Sequence, residues 1–145
     1  MLIRDAFPSD EPFWRQLWAG YLAFYQADLP DEVTAKTWER LIRKQDGLFC
    51  RVAETGGEVC GFTLSVLHAG TWTVAPICYL EDLFVAPEHR GKGIGEALIR
   101  DLVGLGKANG WSRLYWHTQA TNDTARSVYD RFVKADDFVR YRLFL

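Results

Sequence analysis

The chain has 145 residues, 48% of them hydrophobic and 14% aromatic, and a formal net charge of −2. This composition predicts a single domain (residues 1–145) with an ample core, and it gives no reason to expect nucleic-acid binding. No apolar run approaches the length of a membrane span, and no signal-peptide pattern begins the chain. Cys50, Cys60 and Cys78 are odd in number and dispersed, as are the three histidines, so we expect reduced thiols, no metal site and a cytoplasmic location.

The first half of the chain predicts a strand, two helices and a β-hairpin. Ser9 or Asp10 can cap the first helix, which carries Pro12 in its first turn. The dipeptide Gly56-Gly57 is typical of a tight hairpin turn. We predict the first strand at residues 2–4. The first helix runs from residue 9 or 10 to about residue 27, and the second from residue 30 to about residue 44. The two hairpin strands are predicted at 49–53 and 59–67.

The second half predicts strands that alternate with helices. The apolar run 79–85, bounded by Pro87, indicates a buried strand, and the residues after position 93 recur at helical spacing up to a stop at Gly110. A further strand is predicted over 114–117, a helix from Asn122, and a last strand over about 138–145.

A glycine-rich segment joins the run 79–85 to the following helix. It reads Arg90-Gly91-Lys92-Gly93-Ile94-Gly95, and the backbone N–H groups that open a helix have no intrahelical partner. Glycine removes the Cβ atoms that would keep a phosphate away, so this turn is typical of pyrophosphate binding. The P-loop spacing is absent, and the dinucleotide fingerprint fails because Glu96 stands at its last glycine position.

Two motifs in order resemble the GNAT superfamily of N-acetyltransferases. The first is Arg-x-x-Gly-x-Gly at 90–95, and the second is Asn-x-x-Ala-x-x-x-Tyr at 122–129. The resemblance implies an α/β fold, a mixed and mostly antiparallel sheet of six to seven strands splayed between strands 4 and 5, with four flanking helices. It also implies acetyl-CoA as the co-substrate. The implied cofactor-binding residues are Leu83, Phe84 and Val85 along the pantetheine, Arg90, Gly91, Lys92, Gly93, Ile94, Gly95 and Glu96 around the pyrophosphate, and Asn122, which either meets the pantetheine or caps its helix.

The catalytic residues implied by the resemblance are Glu81 and Tyr129. The run 79–85 is similar to a strand of diamine and polyamine N-acetyltransferases whose glutamate lies near the acceptor amine; the alternative is that Glu81 pairs with a structural Arg or Lys. Tyr129 is the candidate general acid, since a phenol stays protonated at pH 7; the alternative is a core aromatic. Neighbours on a strand point to opposite faces, so we expect only one of Glu81 and Asp82 on the acceptor side, and Asp82 to be structural.

The first helix carries an aromatic stripe formed by Trp14, Trp18, Tyr21 and Tyr25. We expect Trp14, Trp18 and Tyr25 to line the acceptor pocket beside Glu81, with a place in the core as the alternative. The predicted function is direct transfer of an acetyl group to a small primary amine: a polyamine, a diamine or a lysine-like amino acid. Alternatives are a protein acetyltransferase and a non-catalytic acyl-CoA-binding module. The resemblance further implies a homodimer formed through the C-terminal strand.

Overall fold

A computed structural model describes all 145 residues as one five-stranded sheet with four α-helices. The sheet order follows the chain, and every neighbouring pair is antiparallel except the last, which is parallel. This is the predicted class of fold. The strands are β1 (Leu2–Asp5), β2 (Leu48–Thr55), β3 (Glu58–His68), β4 (Ile77–Val85) and β5 (Arg113–Tyr115), and the helices are α1 (Glu11–Phe24), α2 (Asp31–Arg43), α3 (Ile94–Asn109) and α4 (Asp123–Tyr129).

The sheet has five strands instead of six to seven because the predicted last strand does not form. Residues 130–145 are neither strand nor helix, although they hold a run of apolar residues that favours a strand. Phe138 is 84% exposed and Tyr141 is 92% exposed. A strand needs a neighbouring edge for its backbone hydrogen bonds, and β5, with only three residues, offers a very short one.

The core has two layers, one on each face of the sheet. Towards α1 and α2, the rings of Trp14, Trp38 and Phe62 pack together with the aliphatic side chains of β2 and β3. On the other face, Ile99 and Leu102 of α3 are fully buried against β4. Burial of each such side chain contributes about 1.5–3 kcal/mol, so both layers hold β3 and β4 firmly in place.

The first helix begins at Glu11, directly after the proposed cap Asp10, and ends at Phe24, three residues before the predicted end. Asp10 does not cap it through its side chain. Instead the Asp10 carboxylate pairs with the Arg4 guanidinium at 2.7 Å and accepts a hydrogen bond from the Phe7 N–H at 2.7 Å. The hairpin turn is confirmed, with the glycines at positions 56 and 57 at φ +61° and +82°.

The predicted splay between the fourth and fifth strands is confirmed. β4 pairs with β5 only where residues 77–79 face residues 113–115, so the rest of β4 has no partner on that side. Unpaired backbone groups at such an edge can bind an extended ligand. The splay therefore opens a cleft along the second half of β4.

A β-bulge lies at the mouth of this cleft. Asp82 faces Leu64 of β3 and Leu80 faces Ser65, which leaves Glu81 as the extra residue. Leu80 and Leu83 both pack on the α3 side although they are three residues apart, so the alternation of side chains slips by one residue between them. The expectation that Glu81 and Asp82 point to opposite faces is wrong, because the bulge turns both towards the face of α1.

Candidate active site

A small cleft lies where the sheet splays. Its volume open to a water-sized sphere is about 20 Å³, which is room for about one water molecule. Four of its lining residues were predicted from the sequence as site residues. The lining residues that follow β5 were not predicted, because no motif marks that segment. The lining residues are Tyr21 and Tyr25 of α1, Leu80, Glu81 and Leu83 of β4, Trp116 and His117 after β5, and Tyr129 of α4.

Glu81 lines the cleft and is exposed to solvent. Its carboxylate forms no ion pair, whereas eleven ion pairs join other charged side chains of the fold. The alternative that Glu81 pairs with a structural Arg or Lys is therefore excluded. The carboxylate is free to interact with a cationic ligand in the cleft.

Asp82 is half-buried beside Glu81, under the aromatic rings of α1. Burial raises the pKa of Asp82 to about 7, and the negative charge of Glu81 raises it further. The Tyr21 hydroxyl, as a hydrogen-bond donor to the carboxylate, lowers this pKa. Asp82 is thus a carboxyl whose protonation changes near neutral pH, which the sequence did not predict.

Tyr129 is the last residue of α4, and its ring packs edge-on against Trp116 with centroids 5.5 Å apart. Burial raises the pKa of Tyr129 to about 12, with a smaller contribution from Tyr25. The phenol is therefore protonated at neutral pH. Tyr129 is both a packed aromatic residue and part of the cleft wall, so its packing is compatible with the predicted catalytic role, which stays a prediction.

The glycine-rich turn before α3 has the geometry of an anion site. Gly91 and Gly93 adopt φ values of +73° and +78°, which favour glycine, and Gly93 begins α3 without a side-chain cap. A Cβ on Gly91 or Gly93 would meet nothing within 4 Å, and one on Gly95 would meet only Leu83, at 3.7 Å. The space before the free N–H groups is therefore open, and it fits a pyrophosphate.

Three side chains predicted to meet the cofactor have partners within the protein. The Arg90 Nε donates to the Val85 carbonyl at 2.9 Å, and Lys92 donates to a backbone carbonyl at 3.2 Å. The Glu96 carboxylate binds Arg100 at 2.7 Å and Arg131 at 2.6 Å, and these bonds hold the pKa of Glu96 below its usual value. Only the backbone of Glu96 is thus left for an anion at the helix start.

Asn122 caps α4: its Oδ1 accepts a hydrogen bond from the Ala125 N–H at 3.2 Å. The side-chain amide N–H groups have no partner. Capping therefore leaves a donor available, and the two roles considered for Asn122 are compatible.

The expectation that Trp14 and Trp18 line the acceptor pocket is wrong. Trp14 is fully buried and Trp18 is 8% exposed, and they stack on each other at 5.5 Å within the core. Successive residues of the stripe emerge from the core as α1 proceeds. Tyr21 and Tyr25 therefore reach the cleft, because they lie at the end of α1 that approaches the bulge.

A second, wider groove of about 370 Å³ runs between α1 and the turn after β4. Gly20 lets the Phe84 ring lie against α1, since a Cβ there would come within 3.0 Å of it. Leu17, Phe24 and Arg90 also line this groove. No residue is shared between the groove and the cleft.

The unpaired edge of the splayed strand, the open glycine-rich start of α3 and the tyrosine in the cleft are features expected of an acyltransferase. The chain matches the Acetyltransferase (GNAT) family over residues 12–133, and it belongs to that family. It is 30% identical to the D-amino-acid N-acetyltransferase HPA3 of Saccharomyces cerevisiae, over 98% of this chain and 89% of the yeast protein.

Two further similarities fit this assignment. The thialysine N-epsilon-acetyltransferase of Mus musculus is 35% identical over 57% of this chain and 47% of the mouse protein. The crystal structure of a ribosomal-protein-alanine N-acetyltransferase from Brucella melitensis superposes with a TM-score of 0.81 at 25% identity, over the whole of both chains. No helix combines the length and the apolar character that crossing a membrane requires.

Proposed function

We propose that this protein transfers the acetyl group of acetyl-CoA directly to the primary amine of a small molecule. The observation that carries the proposal is the meeting of Glu81 and Tyr129 in one cleft, at the open end of the splay. A carboxylate attracts an ammonium and accepts its proton, and a phenol can donate to a leaving sulfur. The single cleft favours a complex in which both substrates are bound at once.

Acetyl-CoA would lie along the unpaired edge of β4, with its pyrophosphate on the start of α3. The backbone groups of Leu83, Phe84 and Val85 would pair with the pantetheine, and the Asn122 amide would donate to one of its carbonyls. Because Arg90 now occupies the Val85 carbonyl, we expect this side chain to turn towards the phosphates when the coenzyme binds.

An acyl-enzyme intermediate is not part of the proposal. Cys50, Cys60 and Cys78 are all buried, and none of them lines the cleft. Burial raises the pKa of Cys50, and it raises that of Cys78 to about 11, so neither supplies a thiolate nucleophile at neutral pH. The amine is left as the nucleophile that attacks the thioester carbonyl.

Tyr129 acts on the leaving thiolate as the C–S bond breaks. The coenzyme thiol resembles cysteine, with a pKa of about 8.5, so complete proton transfer from a phenol at about 12 would cost about 5 kcal/mol. We therefore assign Tyr129 the role of a hydrogen-bond donor to the developing negative charge. The proton that finally neutralises the sulfur comes from the acceptor amine.

The acceptor is a compact amine rather than a peptide segment. The cleft admits about one water molecule, so an acceptor must move side chains of its wall apart, and a compact amine requires a smaller movement than a peptide segment. The names of two relatives specify a D-amino acid and thialysine, and these support an amino acid as the first candidate. Polyamines and diamines are the second, because Glu81 and Asp82 together present two carboxyl groups.

We also propose a homodimer formed by the C-terminal segments, in the cytoplasm. The segment 138–145 is exposed and mostly apolar and forms neither helix nor strand, and the sheet ends at the short strand β5. Pairing of this segment with the sheet of a second copy would cover apolar surface and satisfy backbone groups. The three cysteines are free thiols, which suits a reducing compartment.

A thiol-release assay tests the proposed function. Purified protein and acetyl-CoA are mixed with D-amino acids, lysine, thialysine, spermidine, putrescine and an alanine-initiated peptide. We expect turnover on at least one small amine, and Tyr129→Phe should lower kcat about 100-fold while acetyl-CoA affinity is retained. Turnover on the peptide alone would establish a protein substrate. Binding of acetyl-CoA without turnover on any of these amines would refute the proposed transfer to a small amine.

A further inference from the structure

The bulge at Glu81 places two carboxyl groups in succession at the cleft, and they differ in their surroundings. Glu81 is exposed and lines the cleft, whereas Asp82 is half-buried behind it. Tyr21 connects the two positions, since it lines the cleft and its hydroxyl also interacts with Asp82. Tyr21 therefore lies between the cleft and Asp82.

We propose that Asp82 takes up the first of the two protons that the acceptor ammonium loses, the one that leaves before attack, and that the Tyr21 hydroxyl relays it. This inference rests on the proposed function. An N–H bond of the bound ammonium breaks and its proton joins the Tyr21 oxygen, while the proton of Tyr21 passes to the Asp82 carboxylate. The ammonium and the carboxylate become a neutral amine and a neutral acid, so charge and protons balance.

Glu81 has a different role in this arrangement: it holds the cationic acceptor at the cleft mouth. An exposed carboxylate keeps its negative charge at neutral pH in contact with solvent, and that charge attracts an ammonium. Asp82 is suited to hold the proton because burial and the charge of Glu81 both favour its protonated form. Because the two carboxyl groups differ in burial, Glu81 attracts the ammonium and Asp82 takes up its proton.

The ionisable groups that interact with Asp82 come from α1 and from β4 itself. Tyr21 and Tyr25 approach from the α1 side, and Tyr79 and Glu81 precede Asp82 on β4. The neighbouring residue of β3 is Leu64, which is apolar. His117, on the far wall of the cleft, is the one other group there of a type that titrates near neutral pH, so the experiment must separate it from Asp82.

The test is the pH dependence of kcat at saturating acetyl-CoA and amine, for the wild type and four variants. In the wild type kcat should rise with pH through a midpoint close to 7. Asp82→Asn should abolish this step and lower the plateau about 100-fold, whereas His117→Asn should leave the step in place.

Variants of the two neighbours should move the step in opposite directions. Glu81→Gln removes a like charge, so the midpoint should fall, with a raised KM for the amine. Tyr21→Phe removes the donor that favours the Asp82 carboxylate, so the midpoint should rise and kcat should fall at least tenfold. A shift common to all variants would indicate a general change in the fold and would overturn the assignment.

The relay and the proposed function fail in different ways. If the wild type acetylates an amine and Asp82→Asn keeps both the maximal kcat and its rise near pH 7, the relay is wrong and the proposed acetyltransferase activity is still supported. If the step follows Glu81 or His117, that residue is the base. If the wild type binds acetyl-CoA and acetylates no amine, the proposed function is refuted and the relay with it. Unchanged acetyl-CoA affinity in Asp82→Asn verifies that this variant is folded.

Discussion

Replacement of Asp82 by asparagine should stabilise the protein, and by an amount that grows with pH. In the folded protein the pKa of Asp82 is about 7, mainly because of burial, whereas an aspartate in the unfolded chain has a pKa of about 3.9. Between these two values the folded state binds a proton that the unfolded state lacks. The wild type therefore loses stability as pH rises from about 4 to 7, and the loss levels off above 7.

The magnitude follows from the two pKa values. Integration of the proton-binding difference gives a loss of about 2.6 kcal/mol in the free energy of unfolding between pH 5 and pH 8. The asparagine side chain is neutral throughout, so the variant escapes this loss. For a chain of this length, the melting temperature of the variant relative to the wild type should rise by about 5–10 °C over the same interval.

Urea unfolding at pH 5 and pH 8, at one ionic strength, measures this difference directly. Asp28→Asn is the matched control, since Asp28 is exposed and has no ion-pair partner. The reasoning is refuted if the difference in unfolding free energy between Asp82→Asn and the wild type is the same at both pH values. It is also refuted if the control shows the same trend, because the effect would then not depend on burial.

Three further predictions concern helix α3, the C-terminal segment and the loop before α3. Gly104→Ala should raise the free energy of unfolding by about 1 kcal/mol, because a Cβ at that position contacts nothing. Gly106→Ala should raise it by less, because its Cβ would lie 3.0 Å from the Trp111 ring. Thermal melts of the two variants measure the difference. Deletion of residues 138–145 should give a monomer by light scattering where the full chain is a dimer, and a monomeric full chain would exclude the proposed pairing. Gly93→Ala should weaken acetyl-CoA binding in calorimetry, since φ +78° disfavours alanine; unchanged affinity would remove this turn from the coenzyme site.

Most of the site could be predicted because its parts are local. Gly91 and Gly93 stand at the predicted strand-to-helix junction, and the structure shows that both have a left-handed backbone. Glu81, Tyr25 and Tyr129 were predicted from motif position and helical spacing, and all three line one cleft. Whether they perform the assigned roles is a question for the thiol-release assay.

The predictions that were wrong share one origin: each depended on contacts between residues that are distant in the chain. Trp14 and Trp18 lie on the same helical stripe as Tyr21, and spacing alone does not reveal that the stripe runs from the core to the cleft. The segment 138–145 has the composition of a strand, but a strand also requires a partner edge. The surroundings of Gly106 likewise depend on the fold, which brings the Trp111 ring within 3.0 Å of where its Cβ would lie.

The class of fold, the order of the elements up to α4 and the place of the glycine-rich turn could be predicted from the chain alone, because hydrophobic periodicity and glycine positions are local features. Tertiary structure alone decided the protonation of Asp82. An extra residue in β4, opposite Leu64 and Ser65, turns two adjacent carboxyls to one face, and the rings of α1 exclude water from one of them. Desolvation depends on everything that surrounds a group, so it arises only when distant segments pack together.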